Sequence, residues 1–531
     1  MKKIISVSSA CMAVLVALLT LASCGVKTQT ADGDAPSQTP VQQVVEVDET
    51  GATAIVFNGS TAAVTGTGAA ADGTDVRIEQ GGTYTVQGET TDGRIIVDAQ
   101  DADVTIVLDN AQISCADSSA IYVYQANKTT VYAKEGTTNT LSDGKTYTYD
   151  DAYSSQTDEE PNACVYAKDD LVLAGSGSLT VNGNAADGVT GKDTLLLDSL
   201  TLTVNAAGNG VTGKDSLTVQ NAAVTVTAQG NAMRATNSED TSLGYISTSG
   251  ATLNLTSGED GVQAETSASF SDTTVTVHAG GGSDAAVSDD VSAKGLKAGT
   301  DITIDGGTYT LDCADDAVHA NGNVTVNSGD FTITTGDDAI HADNQVTING
   351  GNMQITAHEG IEGTLITING GKLSMQASDD GINAAQKTDG VTPTVEINDG
   401  ELTIEMGQGD TDGIDANGDI IINGGTIRIT GQSAFDYDGK GELNGGEVYV
   451  NGEKITELTG QFGGMGGMGG MGGKTGGMFG DANGERPQRP DGEMPADGER
   501  PQFPDGEMPA EGFFPHGGRE QTAAAQSDSA V

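Results

Sequence analysis

Residues 315–320 read Asp-Asp-Ala-Val-His-Ala, residues 337–342 read Asp-Asp-Ala-Ile-His-Ala, and residues 379–384 read Asp-Asp-Gly-Ile-Asn-Ala. This pattern of an apolar, a polar and a small residue recurs along the chain, and seven of its ten intervals are 21 or 22 residues long. Because alternate side chains of a strand point to opposite faces, the pattern predicts a short strand with one buried face. The apolar key positions are Val189, Val211, Met233, Val262, Leu296, Val318, Ile340, Ile361, Ile382, Ile414 and Phe435.

Two more apolar stretches follow each key position, as in 301–304 and 308–311, with Asp305-Gly306-Gly307 between them. An Asp or Asn followed by Gly favours a turn, because glycine adopts positive φ at low cost. Three short strands per repeat and no helical pattern predict an all-β fold. The predicted architecture is a parallel β-helix, a single-stranded solenoid with about 21–22 residues per coil, in which stacking buries one continuous core. The nine-residue repeat of calcium-binding β-rolls does not match this period.

The ends of the chain differ from the repeats. Residues 1–23 have the basic start and apolar stretch of a signal peptide, and Leu21-Ala22-Ser23-Cys24 resembles a bacterial lipobox. We therefore expect lipid on Cys24, a flexible tether over 24–45 and a location on the extracellular face of the bacterial cell membrane; the alternative is an ordinary cleaved signal. We expect the repeat domain over 46–460, with a long loop at 138–162. A Gly/Met/Pro-rich tail, predicted to be disordered, covers 461–531.

The net charge of the chain limits the classes of partner that it can bind. The chain has 76 acidic and 24 basic residues, a formal net charge of -52, and no Trp. A protein with this net charge repels nucleic acid and attracts cations. We therefore expect no nucleic-acid partner, and we expect contact with the membrane through the lipid anchor only. Cys115, Cys164 and Cys313 are too few and too far apart for a disulfide framework.

Acidic residues occupy equivalent positions in successive repeats, so stacking would place them in columns. Two carboxylates about 4.8 Å apart repel by about 1 kcal/mol in water and more when buried. Ca²⁺ is a hard cation that accepts six to eight oxygens in irregular geometry, so we predict calcium as the cofactor. The alternative is that Asp and Asn only suit the turns. The predicted metal ligands are Asp315, Asp316, Asp337, Asp338, Glu359, Glu362, Asp379, Asp380, Asp412 and Asp415.

Basic residues next to these columns are candidate ligand-binding residues: Lys294, Lys297, His319 and His341. His319 and His341 share one column, which also permits a zinc or acid–base site. A Lys beside bound calcium can serve as the base of a lyase, and Lys192 and Lys214 are further candidates for that role. Each Lys can equally pair with a neighbouring acid or with a ligand carboxylate.

The run from Ser292-Ala293-Lys294-Gly295-Leu296-Lys297-Ala298 through the Asp-Asp repeats to His358-Glu359-Gly360-Ile361-Glu362-Gly363 resembles the clostridial carbohydrate-binding family typified by a cellulose- and polygalacturonate-binding protein. The resemblance covers about 50–458. It implies a right-handed parallel β-helix with bound Ca²⁺, similar to calcium-dependent pectate lyases, and binding of plant-type polysaccharide. His358 stands where that family has an aromatic residue.

The predicted function is therefore a cell-surface lipoprotein, expected to be monomeric, that binds polysaccharide of an acidic, pectin-like kind through calcium. One alternative is a calcium-dependent polysaccharide lyase with a Lys base. The other is an adhesin or envelope spacer without a ligand.

Overall fold

The structure, a computed structural model, describes residues 45–288, 290–408 and 411–459. The predicted signal peptide, Cys24, the tether as far as residue 44 and the tail from 461 lie outside these residues. Every regular element in the described part is a β-strand, which confirms the all-β prediction. Across the same residues, no helix has the length and apolar character needed to span a membrane.

The strands are short, and most have alternating buried and exposed side chains. The first ten are Thr53–Gly59 (β1), Ala62–Thr65 (β2), Ala69–Asp72 (β3), Asp75–Ile78 (β4), Gly82–Thr90 (β5), Ile95–Asp98 (β6), Asp103–Ser114 (β7), Ile121–Gln125 (β8), Lys128–Ala133 (β9) and Thr138–Ser142 (β10). The predicted loop therefore begins later than expected, because 138–142 pairs with strands on both sides.

The central strands are Ala163–Ala167 (β11), Asp170–Ala174 (β12), Ser178–Gly183 (β13), Asp187–Gly191 (β14), Thr194–Asp198 (β15), Thr201–Ala206 (β16), Val211–Gly213 (β17), Ser216–Gln220 (β18), Ala223–Ala228 (β19), Met233–Ala235 (β20), Tyr245–Ser249 (β21), Thr252–Ser257 (β22), Val262–Ala264 (β23), Ala268–Ala279 (β24), Leu296–Ala298 (β25), Asp301–Cys313 (β26), Val318–Ala320 (β27) and Asn323–Thr335 (β28).

The remaining strands are Ile340–Ile348 (β29), Asn352–Ala357 (β30), Ile361–Ile368 (β31), Lys372–Ala377 (β32), Ile382–Ala384 (β33), Thr394–Ile397 (β34), Glu401–Met406 (β35), Asp412–Ala416 (β36), Asp419–Ile422 (β37), Thr426–Thr430 (β38), Ser433–Tyr437 (β39), Gly441–Leu443 (β40), Glu447–Val450 (β41) and Glu453–Ile455 (β42).

Successive repeats pair in parallel and in register. Val318 pairs with Leu296 before it and Ile340 after it, and Ile382 pairs with Ile361 and Ile414 in the same way. The sequence alignment of the key positions is thus confirmed over the described repeats. Antiparallel pairs occur near the two ends of the described chain, in β1–β2, β3–β4 and β41–β42.

The predicted fold class was wrong in its architecture. The repeat pattern indicated an open solenoid, a single-stranded right-handed parallel β-helix with three separate strands per coil. The strands are instead joined in one sheet, which closes around the core in the manner of a parallel β-barrel.

The glycine corners explain why the sheet does not stop where the sequence suggested. The corner at Gly306-Gly307 has φ of 85° and 98°, but β26 runs through it and resumes pairing with β28 after a register shift. Such a bulge bends a strand without ending it. Similarly, β24 pairs with both β21 and β22, so neighbouring faces become one continuous surface.

The main core is one long apolar cluster enclosed by this sheet, and a second, small cluster contains Tyr122, Ala163 and Tyr166. The key positions are buried, with Val189, Ile340 and Ile382 each at 0% exposure. Phe270, Tyr309 and Phe331 follow one another inside, and the rings of Tyr309 and Phe331 stack with centroids 4.6 Å apart. The three cysteines of the described chain are buried and free.

Candidate functional site

Two adjacent columns of side chains run along one face of the sheet. The first, the ridge column, contains the outward-facing residues that directly follow the key positions. In-register pairing links Tyr122, Tyr166, Thr190, Thr212, Arg234, Gln263, Lys297, His319, His341, Glu362, Asn383, Asp415 and Asp436 in that order.

The second, the acid column, lies two residues before the key positions and begins with neutralised acids. Asp187 Oδ1 accepts hydrogen bonds from the backbone N–H of Asn209 at 2.7 Å and from its side-chain amide at 3.0 Å. Asn209 Oδ1 accepts in turn from Asn231, whose own oxygen accepts from the backbone N–H of Asp260 at 3.1 Å. A chain of amide donors therefore links this part of the column, which we name the amide half (Asp187 to Asp260). At its end, Asp260 accepts from Ser292 and from the backbone N–H of Lys294.

A lysine follows the amide half. Lys294 Nζ lies 2.7 Å from Asp315 Oδ1 and 2.6 Å from Asp316 Oδ2, with 14% of its side chain exposed. Burial lowers the pKa of Lys294, but the charges and hydrogen bonds of the two carboxylates outweigh it and raise that pKa overall. Burial likewise raises the pKa of Asp316, yet His319 and Lys294 hold it well below its usual range. A Lys held as ammonium is unsuited to act as a general base.

Carboxylates position the two histidines of the ridge column. His319 Nδ1 lies 2.7 Å from Asp316 Oδ2, and His341 Nδ1 lies 2.8 Å from Asp338 Oδ2 and 3.2 Å from Glu362 Oε2. Burial lowers the pKa of His341, but these carboxylates raise it overall. The rings lie 4.7 Å apart, and each ring shares a potential metal cluster with at least one of the three acids.

Beyond the histidines, carboxylates follow one another. The acid column continues from Asp338 through Glu359 and Asp380 to Asp412, and Asp415 adds a carboxylate from the ridge column; we name these five residues the carboxylate half. Burial and the charge of Asp338 raise the pKa of Glu359 to about 7. Burial and neighbouring acids also raise the pKa of Asp380 to about 6 and that of Asp415 to about 7. Within the described residues, no ion pair with Lys, Arg or His reaches Glu359, Asp380 or Asp415.

Two uncharged side-chain oxygens next to the carboxylate half receive no hydrogen bond from the described residues. Asn383 Oδ1 and Thr411 Oγ1 are buried and have no hydrogen-bond partner in the described part of the chain. Asn383 directs its amide nitrogen to Glu359 Oε2 at 3.1 Å, which leaves its oxygen available. Buried oxygens without donors are costly unless something binds them. Together with the acids they form an oxygen-rich site that suits a hard divalent cation.

The two other predicted metal ligands, Asp337 and Asp379, belong to two different potential clusters. Asp337 lies within 4.8 Å of Asp315 and Asp316 as part of one potential cluster, and Asp379 forms another with His358 and Glu359. Burial and the charges of Asp316 and Asp315 raise the pKa of Asp337.

Some partners were not predicted from the sequence. Glu362 Oε1 pairs with Lys387 at 2.9 Å, so Glu362 is already compensated. Lys297 Nζ lies 3.4 Å from Asp260 Oδ2 and donates to Ser292 at 2.9 Å. Lys387 lies outside the repeat positions, in the insertion after β33, so the column alignment gave no signal for it. Asn383 was in the alignment, but its unused oxygen depends on the side-chain conformation.

Comparison with known proteins places the chain in a family. The model of the carbohydrate-binding domain-containing proteins matches residues 72–339 and 337–456, which is more than half of the chain. This chain belongs to that family. The resemblance inferred from the Asp-Asp repeats is thereby confirmed, and carbohydrate binding is the function that the family describes.

Two individual proteins are similar to this family member. A carbohydrate-binding domain-containing protein of Acetivibrio thermocellus is 38% identical over 208 residues, which are 39% of this chain and 71% of that protein. A solved structure described as the polysaccharide lyase-like protein from C. thermocellum, gadolinium derivative, is 28% identical with a TM-score of 0.41. The match covers 43% of this chain and 92% of the chain in that solved structure.

Proposed function

We propose that this carbohydrate-binding protein holds an acidic, pectin-like polysaccharide through calcium bound at the carboxylate half, and does so as a lipoprotein on the outer face of the bacterial cell membrane. The observation that carries the proposal is the set of uncompensated carboxylates around Glu359, Asp380 and Asp415, with the buried oxygens of Asn383 and Thr411 beside them. Lipidation of Cys24 stays a prediction from the sequence.

Calcium fits this donor set better than a transition metal does. The donors are carboxylate, amide and hydroxyl oxygens on several strands, which match the ligand number and irregular geometry that calcium tolerates. Imidazole, which zinc and copper prefer, comes from His319 and His341 earlier in the ridge column. Around Glu359 in the carboxylate half, His358 supplies the one imidazole of a potential cluster among the described residues, against a majority of oxygen donors. There, Asp316 already has Lys294 and His319 as partners, so we place calcium at the carboxylate half rather than at Asp315 and Asp316.

The charge of the whole chain supports a bridging cation. With a formal net charge of -52, the protein repels a polyuronate in solution. A divalent ion that keeps open coordination positions toward the ridge column can accept a sugar carboxylate and reverse that repulsion locally. Neutral polysaccharide has no carboxylate for such an ion to bridge, so calcium dependence should be stronger for acidic glycans.

The test compares retention of the purified full chain on immobilised polygalacturonate in calcium and in a chelator. We expect at least a tenfold weaker affinity in chelator, and the same weakening in calcium for Asp380→Asn. This substitution keeps the oxygen that accepts the backbone N–H of Asp412 at 2.9 Å, so the local structure is preserved.

Glu401→Gln is the matched control, since it removes one equal charge from an exposed position outside both columns. It should bind polygalacturonate as the unmodified protein does. Affinity that is the same in calcium and in chelator, or no affinity for any acidic glycan, would refute the proposal. Calcium binding can be followed separately by melting: at 100 times its dissociation constant, a single ion adds about 2.7 kcal/mol of stability.

A further inference from the structure

A cavity of about 240 Å³ opens on the same face, beside the amide half and far from the carboxylate half. Its wall contains three cationic side chains and one carboxylate, an unusual balance in a chain with 76 acidic and 24 basic residues. The lining residues that matter here are Thr190, Thr212, Lys192, Lys214, Arg234 and Asp187.

The cations around this cavity are only partly compensated. Arg234 Nε donates to Thr212 Oγ1 at 3.1 Å, and its guanidinium lies 3.6 Å from Asp187 Oδ2. Lys192 Nζ lies 3.0 Å from Glu160, a carboxylate that also faces Lys168 at 3.3 Å. These contacts hold Arg234 and Lys192 in place.

Lys214 differs from both. Its ammonium makes no ion pair or hydrogen bond with any of the residues that the structure describes, and its charge acts at longer range on Asp193. The cavity therefore contains an available positive charge next to an anchored guanidinium.

We infer that this cavity, which we name the cationic pocket, is a second subsite that binds a sugar carboxylate directly, without calcium. The inference rests on the proposed function, because it assigns the pocket to the same acidic polysaccharide. Arg presents fixed N–H donors that suit a carboxylate, and Lys adds a mobile point charge. The buried hydroxyls of Thr190 and Thr212 provide polar groups for the sugar hydroxyls beside that carboxylate.

The positions of the two sites allow one glycan to reach both. Arg234 and Asn383 belong to the same ridge column and are separated by six steps of in-register pairing. At about 4.8 Å per step, the separation is about 29 Å along the column. A polyuronate that follows the column would meet a cationic subsite at one end and a calcium-bridged subsite at the other. Linked subsites of this kind raise affinity through effective concentration.

The experiment is calorimetric titration of the full chain with trigalacturonate in a chelator, where calcium bridging is absent. We expect weak binding that Lys214→Met weakens at least tenfold. The methyl ester of the same trisaccharide should show no binding at that level, because it has lost its charge. Inorganic sulfate at equal concentration should compete only weakly, since it lacks hydroxyls for the threonine pair.

Lys372→Met is the control, because it removes an exposed ammonium from another face. It should leave the titration unchanged. The pocket assignment would be overturned by equal binding in Lys214→Met, by equal binding of the methyl ester, or by no binding in chelator. Full competition by sulfate would also overturn the assignment, because it would show that the pocket binds any anion.

The failure of this inference and that of the proposed function are distinguishable. If only the pocket assignment is wrong, retention on polygalacturonate still depends on calcium and Lys214→Met does not change it. If only calcium bridging is wrong, retention ignores chelator and Asp380→Asn, while Lys214→Met still weakens trigalacturonate binding.

Discussion

The amide half and the carboxylate half of the acid column have the same backbone pairing but opposite electrostatics. In the amide half, Asn209 donates to Asp187, and Asn231 donates to Asn209. Asp260 accepts from Ser292 and from the backbone N–H of Lys294, so each acid is compensated within the protein. In the carboxylate half, Glu359 and Asp380 meet other acids, and their pKa values rise. An Asn at this position closes the column with hydrogen bonds, whereas an Asp or Glu leaves it dependent on protons or a cation.

Lys294 lies between the two halves, and its removal should have the largest effect on the stability of the protein. Lys294→Met leaves Asp315 and Asp316 without their ammonium, and loss of one partner of a buried ion pair costs about 3–5 kcal/mol. We expect a clear drop in melting temperature in chelator, part of which calcium restores.

Lys372→Met provides the comparison for this prediction, since it breaks an exposed pair with Glu401 at 3.7 Å. Such exposed pairs contribute about 0–1 kcal/mol. A melting temperature for Lys294→Met within the range of that control would show that Lys294 does not compensate the two acids.

The second variant introduces a carboxylate into the amide half, which makes that half more like the carboxylate half. Asn231→Asp replaces an amide that donates to Asn209 and, at 2.8 Å, to Glu259. The new carboxylate would face both acceptors without a proton, so we expect a loss of about 1–3 kcal/mol in chelator. We also expect a calcium-dependent recovery that the unmodified amide half does not have.

Asn444→Asp makes the same substitution in an exposed turn, where Asn444 donates to Asn423 at 3.0 Å. It should cost less than about 0.5 kcal/mol, as surface changes usually do. Equal melting of the two variants would mean that burial of the amide half is not what makes its compensation necessary.

The sequence predicted which side chains share a column but not which of them are neutralised. Parallel, in-register pairing places equivalent residues side by side, so the repeat spacing was enough to align Asp316 with Asp338 and His319 with His341. Compensation depends on how far a side chain reaches. Lys294 turns toward the two acids of the next repeat, and Lys387 reaches Glu362 from an insertion.

The architecture was predicted only in part for a related reason. Apolar periodicity specifies the buried face of each strand, but it does not show whether a glycine corner ends a strand. At Gly306-Gly307 the chain bends and continues to pair, and this continuity closes the sheet. Sequence reasoning also overlooked the cationic pocket. Lys192 and Lys214 share one repeat position and were considered only as candidate bases, whereas Arg234 occupies another position and meets them only in the folded chain.

The smallest expected effect is the pH dependence of the metal-free protein. The pKa values of Glu359, Asp380 and Asp415 are raised to about 7, 6 and 7, above the ordinary value near 4 of the unfolded chain. A raised carboxyl pKa means that the folded state binds more protons, so this stability is present at low pH and is lost as pH rises through 6–7. His341, whose pKa is also raised, acts in the same direction.

In chelator, the melting temperature should therefore rise by a few degrees between pH 8 and pH 5.5. One pKa unit corresponds to about 1.4 kcal/mol, but these side chains are partly exposed, so screening reduces each contribution to below about 1 kcal/mol. The lower limit stays above pH 5 because Asp316, with its lowered pKa, loses stability in acid. The double variant Glu359→Gln/Asp380→Asn should flatten the profile, whereas Asp187→Asn in the amide half should not. A melting temperature in chelator that increases with pH would contradict the assignment of uncompensated charge to the carboxylate half.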